Sequence, residues 1–261
     1  MSLIVCSPST QNFLEGEKFI VNNPPTKDIL QLHGKYDDVI AVGGGAVIDT
    51  AKILSNSPIT CYPTTAAGAT ATSHSVYWEG DNKLNFHSYI PKETKFESKF
   101  IESLPKNTLQ YTKYDAISHC LDVLWSKDIN KLNKTEVEDT LEKLTNPKIK
   151  PIDIIKLGHK AGTFIQIVPT TILHALSYPI TGKYGITHGK ALGFLIPPLC
   201  KLFNLKLNIK KCNISLDMGI DFIINKAQTY PKFFNTKKEI DLKQLTKLLK
   251  YENSKRTNNK I

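Results

Sequence analysis

Two short apolar runs frame the first part of the chain. Residues 38–42 read Asp-Val-Ile-Ala-Val and end in Gly43-Gly44-Gly45, and residues 59–63 read Ile-Thr-Cys-Tyr-Pro and lead into Thr64-Thr65. Between them, residues 46–54 carry apolar side chains at helical spacing. Apolar runs bounded by glycine read as buried parallel strands. The segment therefore predicts strand, glycine turn, helix and strand, the local grammar of an α/β nucleotide-binding domain. Residues 73–90 predict a β-hairpin turning at Glu79-Gly80-Asp81-Asn82. From about Pro105 the texture changes. Ala116, Ile117, Cys120, Leu121 and Leu124 predict a helix over 108–126, and 134–145 reads as an amphipathic helix stopped by Asn146-Pro147. Helices are also expected over 151–168, 170–178, 189–203 and 215–228. The expected fold is an α/β domain with a parallel sheet in residues 1–104, then an all-α domain in residues 105–261. The polar end, residues 251–261, is expected to fray.

Composition narrows the class. The 261 residues are 41% hydrophobic and 22% charged, enough apolar content to fill one large or two small cores. That balance excludes collagen-like and bulk-disordered chains. No run of about 18 uninterrupted apolar residues suggests a membrane span, and the start Met1-Ser2-Leu3-Ile4-Val5-Cys6 has no secretory pattern. The net charge of +10 comes from scattered lysines without an arginine-rich cluster, so nucleic-acid binding is not expected. Five cysteines form no CxxC pair, which predicts reduced thiols in a cytoplasmic protein rather than a disulfide framework or zinc ribbon.

Candidate chemistry falls in two places. Three glycines at a strand end let backbone approach a phosphate, and the following helix aims its free N–H groups at that phosphate. Asp49 and Lys52 fall in the first turns of this helix. Thr64 and Thr65, at the end of the second strand, offer hydroxyls to a ribose or phosphate. Taken alone, the same residues also suit a tight strand–helix connection and a capped helix start. Among the seven histidines, His33, His74, His87 and His159 have no partner at ligand spacing and read as surface or structural. Asp115 and His119 stand at i and i+4, which puts both on one helix face, a spacing shared by metal pairs and solvated ion pairs. His174 and His188 lie in Thr170-Thr171-Ile172-Leu173-His174 and Gly185-Ile186-Thr187-His188-Gly189. One carboxylate and three imidazoles suit a divalent Fe or Zn ion.

In combination, these segments resemble the iron-containing (group III) alcohol dehydrogenases, within the superfamily that includes dehydroquinate synthase. The resemblance is carried by residues 40–52, Pro63-Thr64-Thr65-Ala66, Ser103-Leu104-Pro105, Tyr114-Asp115-Ala116-Ile117-Ser118-His119, and His174 through His188-Gly189, and it extends over about residues 36–205. It implies a dehydroquinate synthase-like architecture, with a Rossmann-like domain shortened at its N-terminus and a helical metal-binding domain. It implies Asp115, His119, His174 and His188 as metal ligands. It also implies a dinucleotide, NAD or NADP, with its pyrophosphate on Gly44, Gly45 and Ala46. Asp49, Thr64 and Thr65 lie nearby, and the hairpin lysine Lys83 is on the nicotinamide side. Ser177-Tyr178-Pro179 and Leu124-Trp125-Ser126 look like the phosphonoacetaldehyde reductase branch, which reduces that aldehyde to 2-hydroxyethylphosphonate.

The activity this implies is metal-dependent, NAD(P)H-linked reduction of a small aldehyde, with Tyr178 read either as an aid to proton delivery or as a core tyrosine. Lys183 and Lys190 read by default as surface lysines, with pairing to an anionic substrate group the alternative, and a homodimer is compatible with the resemblance. Only 42 residues precede Gly43, short of the strand–helix–strand that the family places there. The alternatives are a general iron-type alcohol dehydrogenase and a truncated relative that binds metal or nucleotide without turnover.

Overall fold

Leu3, Ile4, Val5 and Cys6 are all buried. They form β1 (Leu3–Cys6), whose side chains alternate between two apolar layers: Leu3 and Val5 join one, Ile4 and Cys6 the other. A strand covered on both faces reads as continuously apolar rather than alternating. Beside it in the computed structural model, which describes residues 2–102, 104–214, 216 and 219–254, lie β2 (Lys18–Ile20) and β3 (Val39–Gly43). The chain continues through α1 (Gly45–Leu54), β4 (Thr60–Pro63), the hairpin of β5 (His74–Glu79) and β6 (Asn82–His87), and β7 (Glu93–Thr94). The five strands outside the hairpin form one parallel sheet ordered β2-β1-β3-β4-β7.

The order reverses direction between β1 and β3, and open parallel sheets bind ligands at the carboxyl ends of such a switch point. The turn Gly43-Gly44-Gly45 leaves the sheet there. It is tight: a Cβ on Gly43 would stand 2.6 Å from Val47, and one on Gly44 3.1 Å from Thr65.

The remaining helices are α2 (Lys106–Trp125), α3 (Lys134–Thr145), α4 (Pro151–Ile167), α5 (Ile172–Tyr184), α6 (His188–Leu202), α7 (Ile220–Gln228) and α8 (Leu242–Ser254). Helix α2 is central, with α3, α4, α5 and α6 packed around it. Its Ala116, Ile117, Cys120, Leu121 and Val123 are inaccessible to solvent. Helix α4 ties the helices to the sheet. Gly158 and Gly162, one turn apart, let residues 66–71 lie against its backbone, where a Cβ at 158 would meet Ala66 at 2.3 Å. No helix among the described residues is long and apolar enough to cross a membrane.

The architecture is the expected α/β part followed by helices, with three corrections of element bounds. The N-terminal 42 residues contain β1 and β2, and residues 7–17 join these parallel strands without an α-helix. Phe13 and Phe100 cover that face of the sheet instead. Helix α5 does not stop at Tyr178 but runs through Pro179 to Tyr184, because buried Ile180 and the hairpin against Gly182 hold it. Helix α7 begins at Ile220 rather than 215, and position 215 lies outside the described residues. The chain past Tyr251 does not fray at once, since α8 extends to Ser254 and buries Glu252 between Lys201 and Lys211. Ser103 and positions 255–261 also lie outside the described residues.

Candidate metal and nucleotide site

Asp115, His119 and Asp122 occupy positions i, i+4 and i+7 of α2, so one face of a buried helix carries three polar groups. His174 belongs to the first turn of α5, and His188 is the first residue of α6. The loop between α5 and α6 turns at Gly185, whose φ of 62° is left-handed, and α6 closes on α2 at Gly189. A Cβ at Gly189 would stand 2.1 Å from the Tyr111 carbonyl oxygen. These helix ends bring the four predicted ligands together.

The Nε2 atoms of His119, His174 and His188 lie 3.5, 3.6 and 3.6 Å from Asp115 Oδ1. Ligand atoms of Asp115, His119 and His174 all fall within 4.8 Å of one another. Four donors about 2.1 Å from a cation in a tetrahedron stand about 3.4 Å apart, so the spacing suits a first-row divalent ion. The same oxygen supplies an independent sign. Asp115 Oδ1 is buried and has no hydrogen-bond partner, a condition proteins avoid unless an ion or water completes it. The donor set and the orphaned oxygen both fit a bound cation.

Electrostatics favour the ligand forms of Asp115, His119 and His188, whereas His174 holds its proton. Burial alone would raise the Asp115 carboxyl, but the surrounding imidazoles, His119 foremost, outweigh it and hold it well below the carboxylate range. Burial lowers His119 to about 4. Burial and then Lys83 lower His188 well below its ordinary value. His174 moves up to about 9; burial opposes this, but Asp115 and Asp122 flank its two nitrogens. A cation on Nε2 takes the place of the proton there.

Asp122 is the functional residue that sequence reasoning missed. It is fully buried, and its carboxylate accepts from His174 Nδ1 at 2.8 Å, the Thr171 hydroxyl at 2.8 Å, and the Leu173 and His174 amides at 3.0 and 3.3 Å. It thus satisfies free N–H groups at the start of α5 and holds a proton on Nδ1, leaving the Nε2 lone pair toward Asp115. Its position seven residues after Asp115 was the available signal.

A cavity of about 330 Å³ opens above the histidines, with Asp115, His119, His174, Tyr178, Lys83 and Lys232 among its walls. A second, of about 700 Å³, shares Gly45, Asp49, Lys83, Asp115 and His188 with it and extends over Ala46 to Pro24 and Trp78. One continuous cleft therefore links the glycine turn to the histidine cluster. Tyr178 lines the smaller cavity. Its hydroxyl lies 3.0 Å from Lys232 Nζ, and its ring lies below the ammonium groups of Lys83 (4.8 Å) and Lys232 (4.9 Å). Burial would raise the phenol, but Lys232 and Lys83 together bring it down to about 7.

On the nucleotide side, Gly45, Ala46, Asp49 and Lys83 line the cleft, whereas Gly44, Thr64 and Thr65 do not. Thr65 Oγ1 accepts the Gly45 amide at 3.3 Å, so it occupies one donor at the start of α1. Buried Lys52 donates to the carbonyls of Ala69, Thr72 and His74 and anchors the hairpin's entry. Burial lowers it to about 8 and raises Asp49 to about 6. Lys183 and Lys190 are absent from the cavity walls, which favours the surface reading of both, and Lys232 lines the smaller cavity. Exposed His74 borders the mouth of the smaller cavity.

No protein-family model matches the chain. It is 26% identical over 195 residues to 4-hydroxybutyrate dehydrogenase from Clostridium kluyveri, covering 60% of this chain and 52% of that one. It is 23% identical over 210 residues to phosphonoacetaldehyde reductase from Streptomyces viridochromogenes, covering 64% and 53%. The chain spans about half the length of the curated relatives it matches. A solved iron-containing alcohol dehydrogenase superposes with a TM-score of 0.79 at 18% identity, covering 97% of this chain and 91% of that one. Sulfoacetaldehyde reductase from Bifidobacterium kashiwanohense, solved in complex with NAD+, gives 0.75 at 18% identity, covering 97% and 91%. The fold is that of the iron-containing alcohol dehydrogenases.

Proposed function

We propose that this chain is a metal-dependent, NAD(P)H-linked reductase of small aldehydes, a member of the iron-containing alcohol dehydrogenase family. Residues 1–104 serve in it as the nucleotide domain and 105–261 as the metal domain. The observation that carries this reading is the convergence of three imidazole Nε2 atoms on the unpartnered Asp115 Oδ1, in a cleft that runs on to the glycine turn. Fe or Zn held by Asp115, His119, His174 and His188 would polarise an aldehyde carbonyl, and the nicotinamide would supply hydride. The start of α1, with Gly44, Gly45 and Ala46, receives the pyrophosphate. Asp49, Thr64 and Thr65 support that turn, and Lys83 borders the nicotinamide. Tyr178, against His174 and His188, is the group that hands a proton to the developing alkoxide.

Within this class the substrate we favour is phosphonoacetaldehyde, yielding 2-hydroxyethylphosphonate. Ser177-Tyr178-Pro179 and the similarity to a reductase of that name support it. The test is absorbance of the reduced-nicotinamide band with NADH and NADPH against a panel of aldehydes, with and without Fe or Zn. Oxidation with phosphonoacetaldehyde alone supports the finer reading, and oxidation with simple aldehydes as well makes the chain a general alcohol dehydrogenase. No oxidation, with metal retained, makes it a binding protein without turnover. In parallel, His188→Ala should lose both bound metal and turnover; unchanged values for both would sink the ligand assignment.

A further inference from the structure

The smaller cavity contains two lysines that the proposed chemistry leaves without a counter-ion. Lys232 comes from the short turn Pro231–Phe234, far in sequence from every predicted ligand. Its ammonium is held by two hydroxyls, Thr170 Oγ1 at 3.1 Å and Tyr178 Oη at 3.0 Å. Lys83 reaches the same phenol ring from the hairpin, its ammonium 4.8 Å from the ring centre. Among the described residues, neither ammonium lies within 4.0 Å of a carboxylate, although exposed lysines elsewhere, such as Lys27 and Lys131, do pair. The two carboxylates that line this cavity are otherwise engaged: Asp115 faces the three imidazoles, and Asp49 lies with Lys52 and Lys83 on the nucleotide side. A cation on Asp115 would leave the cavity more positive still. Fixed positive charge in a small, walled cavity concentrates and orients anions.

Distances set the size of that anion's carrier. The Tyr178 ring centre lies 6.3 Å from that of His174 and 6.1 Å from that of His188, and Lys232 Nζ is 4.9 Å from the Tyr178 ring. Lys232 Nζ therefore stands no more than about 11 Å from either imidazole ring centre, which limits the carrier to a short chain between carbonyl and oxyanion. A volume of about 330 Å³ is at the small end of ligand pockets.

Resting on the reductase reading above, we propose that Lys232, oriented by Thr170 and Tyr178, is the specificity-determining residue of an anion subsite. This subsite selects short aldehydes whose far end carries a compact oxyanion: a phosphonate, sulfonate or carboxylate. The lysine binds the charged end by a charge-assisted hydrogen bond, which fixes the carbonyl over the histidine cluster. It takes no part in hydride transfer, and its hydrogen bond to Tyr178 acts on the phenol alike for every aldehyde.

The test compares the metal-loaded wild-type protein with Lys232→Met and Lys232→Arg. Steady-state reduction is measured with phosphonoacetaldehyde, sulfoacetaldehyde, succinic semialdehyde and neutral butanal, and calorimetry measures binding of unreactive phosphonoacetate. Lys232→Met should lose about 10–100-fold more in kcat/KM for the preferred anionic aldehyde than for butanal, the extra loss falling mostly on KM, while any loss through Tyr178 is common to both. Lys232→Arg should recover most of the loss, and phosphonoacetate affinity should fall in Lys232→Met by a similar factor. The panel itself tells which oxyanion fits. Equal losses on butanal and the anionic aldehydes would make Lys232 structural. A rise confined to the KM for reduced nicotinamide would assign it to the cofactor. Either result, or no loss at all, overturns the proposal. If no aldehyde is reduced but phosphonoacetate binding still depends on Lys232, the reductase reading fails and the anion site stands.

Discussion

Asp122 shows how much one buried carboxylate can organise. Its hydrogen bonds join α2 to the start of α5 and choose the His174 tautomer. Asp122→Asn keeps the shape but weakens acceptance from Nδ1, so metal affinity should fall about 10–100-fold. Competition with a chelator of known affinity measures this, and unchanged affinity would remove Asp122 from the site's support. Asp49 makes the opposite kind of contribution. Burial raises it from 3.8 to about 6, and at about 1.4 kcal/mol per pH unit this costs the folded state about 3 kcal/mol once the group is ionised. The sign follows from the raised value: the folded state holds its proton longer, so the cost is absent below pH 3.8, accumulates between there and about 6, and is constant above. Asp49→Asn should therefore gain stability relative to wild type as pH rises from 4 to 6.5. Urea unfolding at both pH values checks it; a difference independent of pH would contradict it.

At the scale of elements, small residues set how closely the site's helices approach. Gly189 lets the first turn of α6 rest on the Tyr111 carbonyl of α2, and His188 reaches Asp115 only because of that contact. Gly189→Ala should push α6 away, destabilise the protein by about 1–3 kcal/mol and reduce bound metal. Denaturant unfolding together with metal analysis reads both effects. Normal metal content with a normal unfolding midpoint would show that the approach tolerates a methyl group. The glycine turn has an analogous closure, because Thr65 already takes the Gly45 amide at the start of α1. The motif legible in the sequence is thus partly committed to its own strand–helix connection. The other amides of that turn are the ones left to meet a phosphate.

At the scale of the whole molecule, α2, α5 and α6 supply the four candidate ligands, while the sheet and hairpin supply the other wall of the cleft. A ligand that binds only this assembled arrangement stabilises it by mass action. Zn or Fe at about 100 times its Kd should add about 2.7 kcal/mol. Calorimetric unfolding of chelator-treated and metal-loaded protein should show a higher midpoint with metal, and His188→Ala should show no such shift. The sequence by itself determined what depends on neighbours along the chain. The strand–glycine–helix–strand unit, the hairpin and most helices are visible because periods of two and 3.6 residues are local properties. The Asp115/His119 pair is visible because one helical turn is a local distance. What the tertiary structure decided lies between segments. Four-residue β1 is too short to carry a period, and only pairing with β3 makes it a strand. Pro179 suggests a helix end, yet packing carries α5 past it. Asp122 acts on an amide that is 51 residues away in sequence, and Lys232 meets Tyr178 across 54. Spacing along the chain cannot encode such meetings, because the core that folds between those residues determines their distance in space.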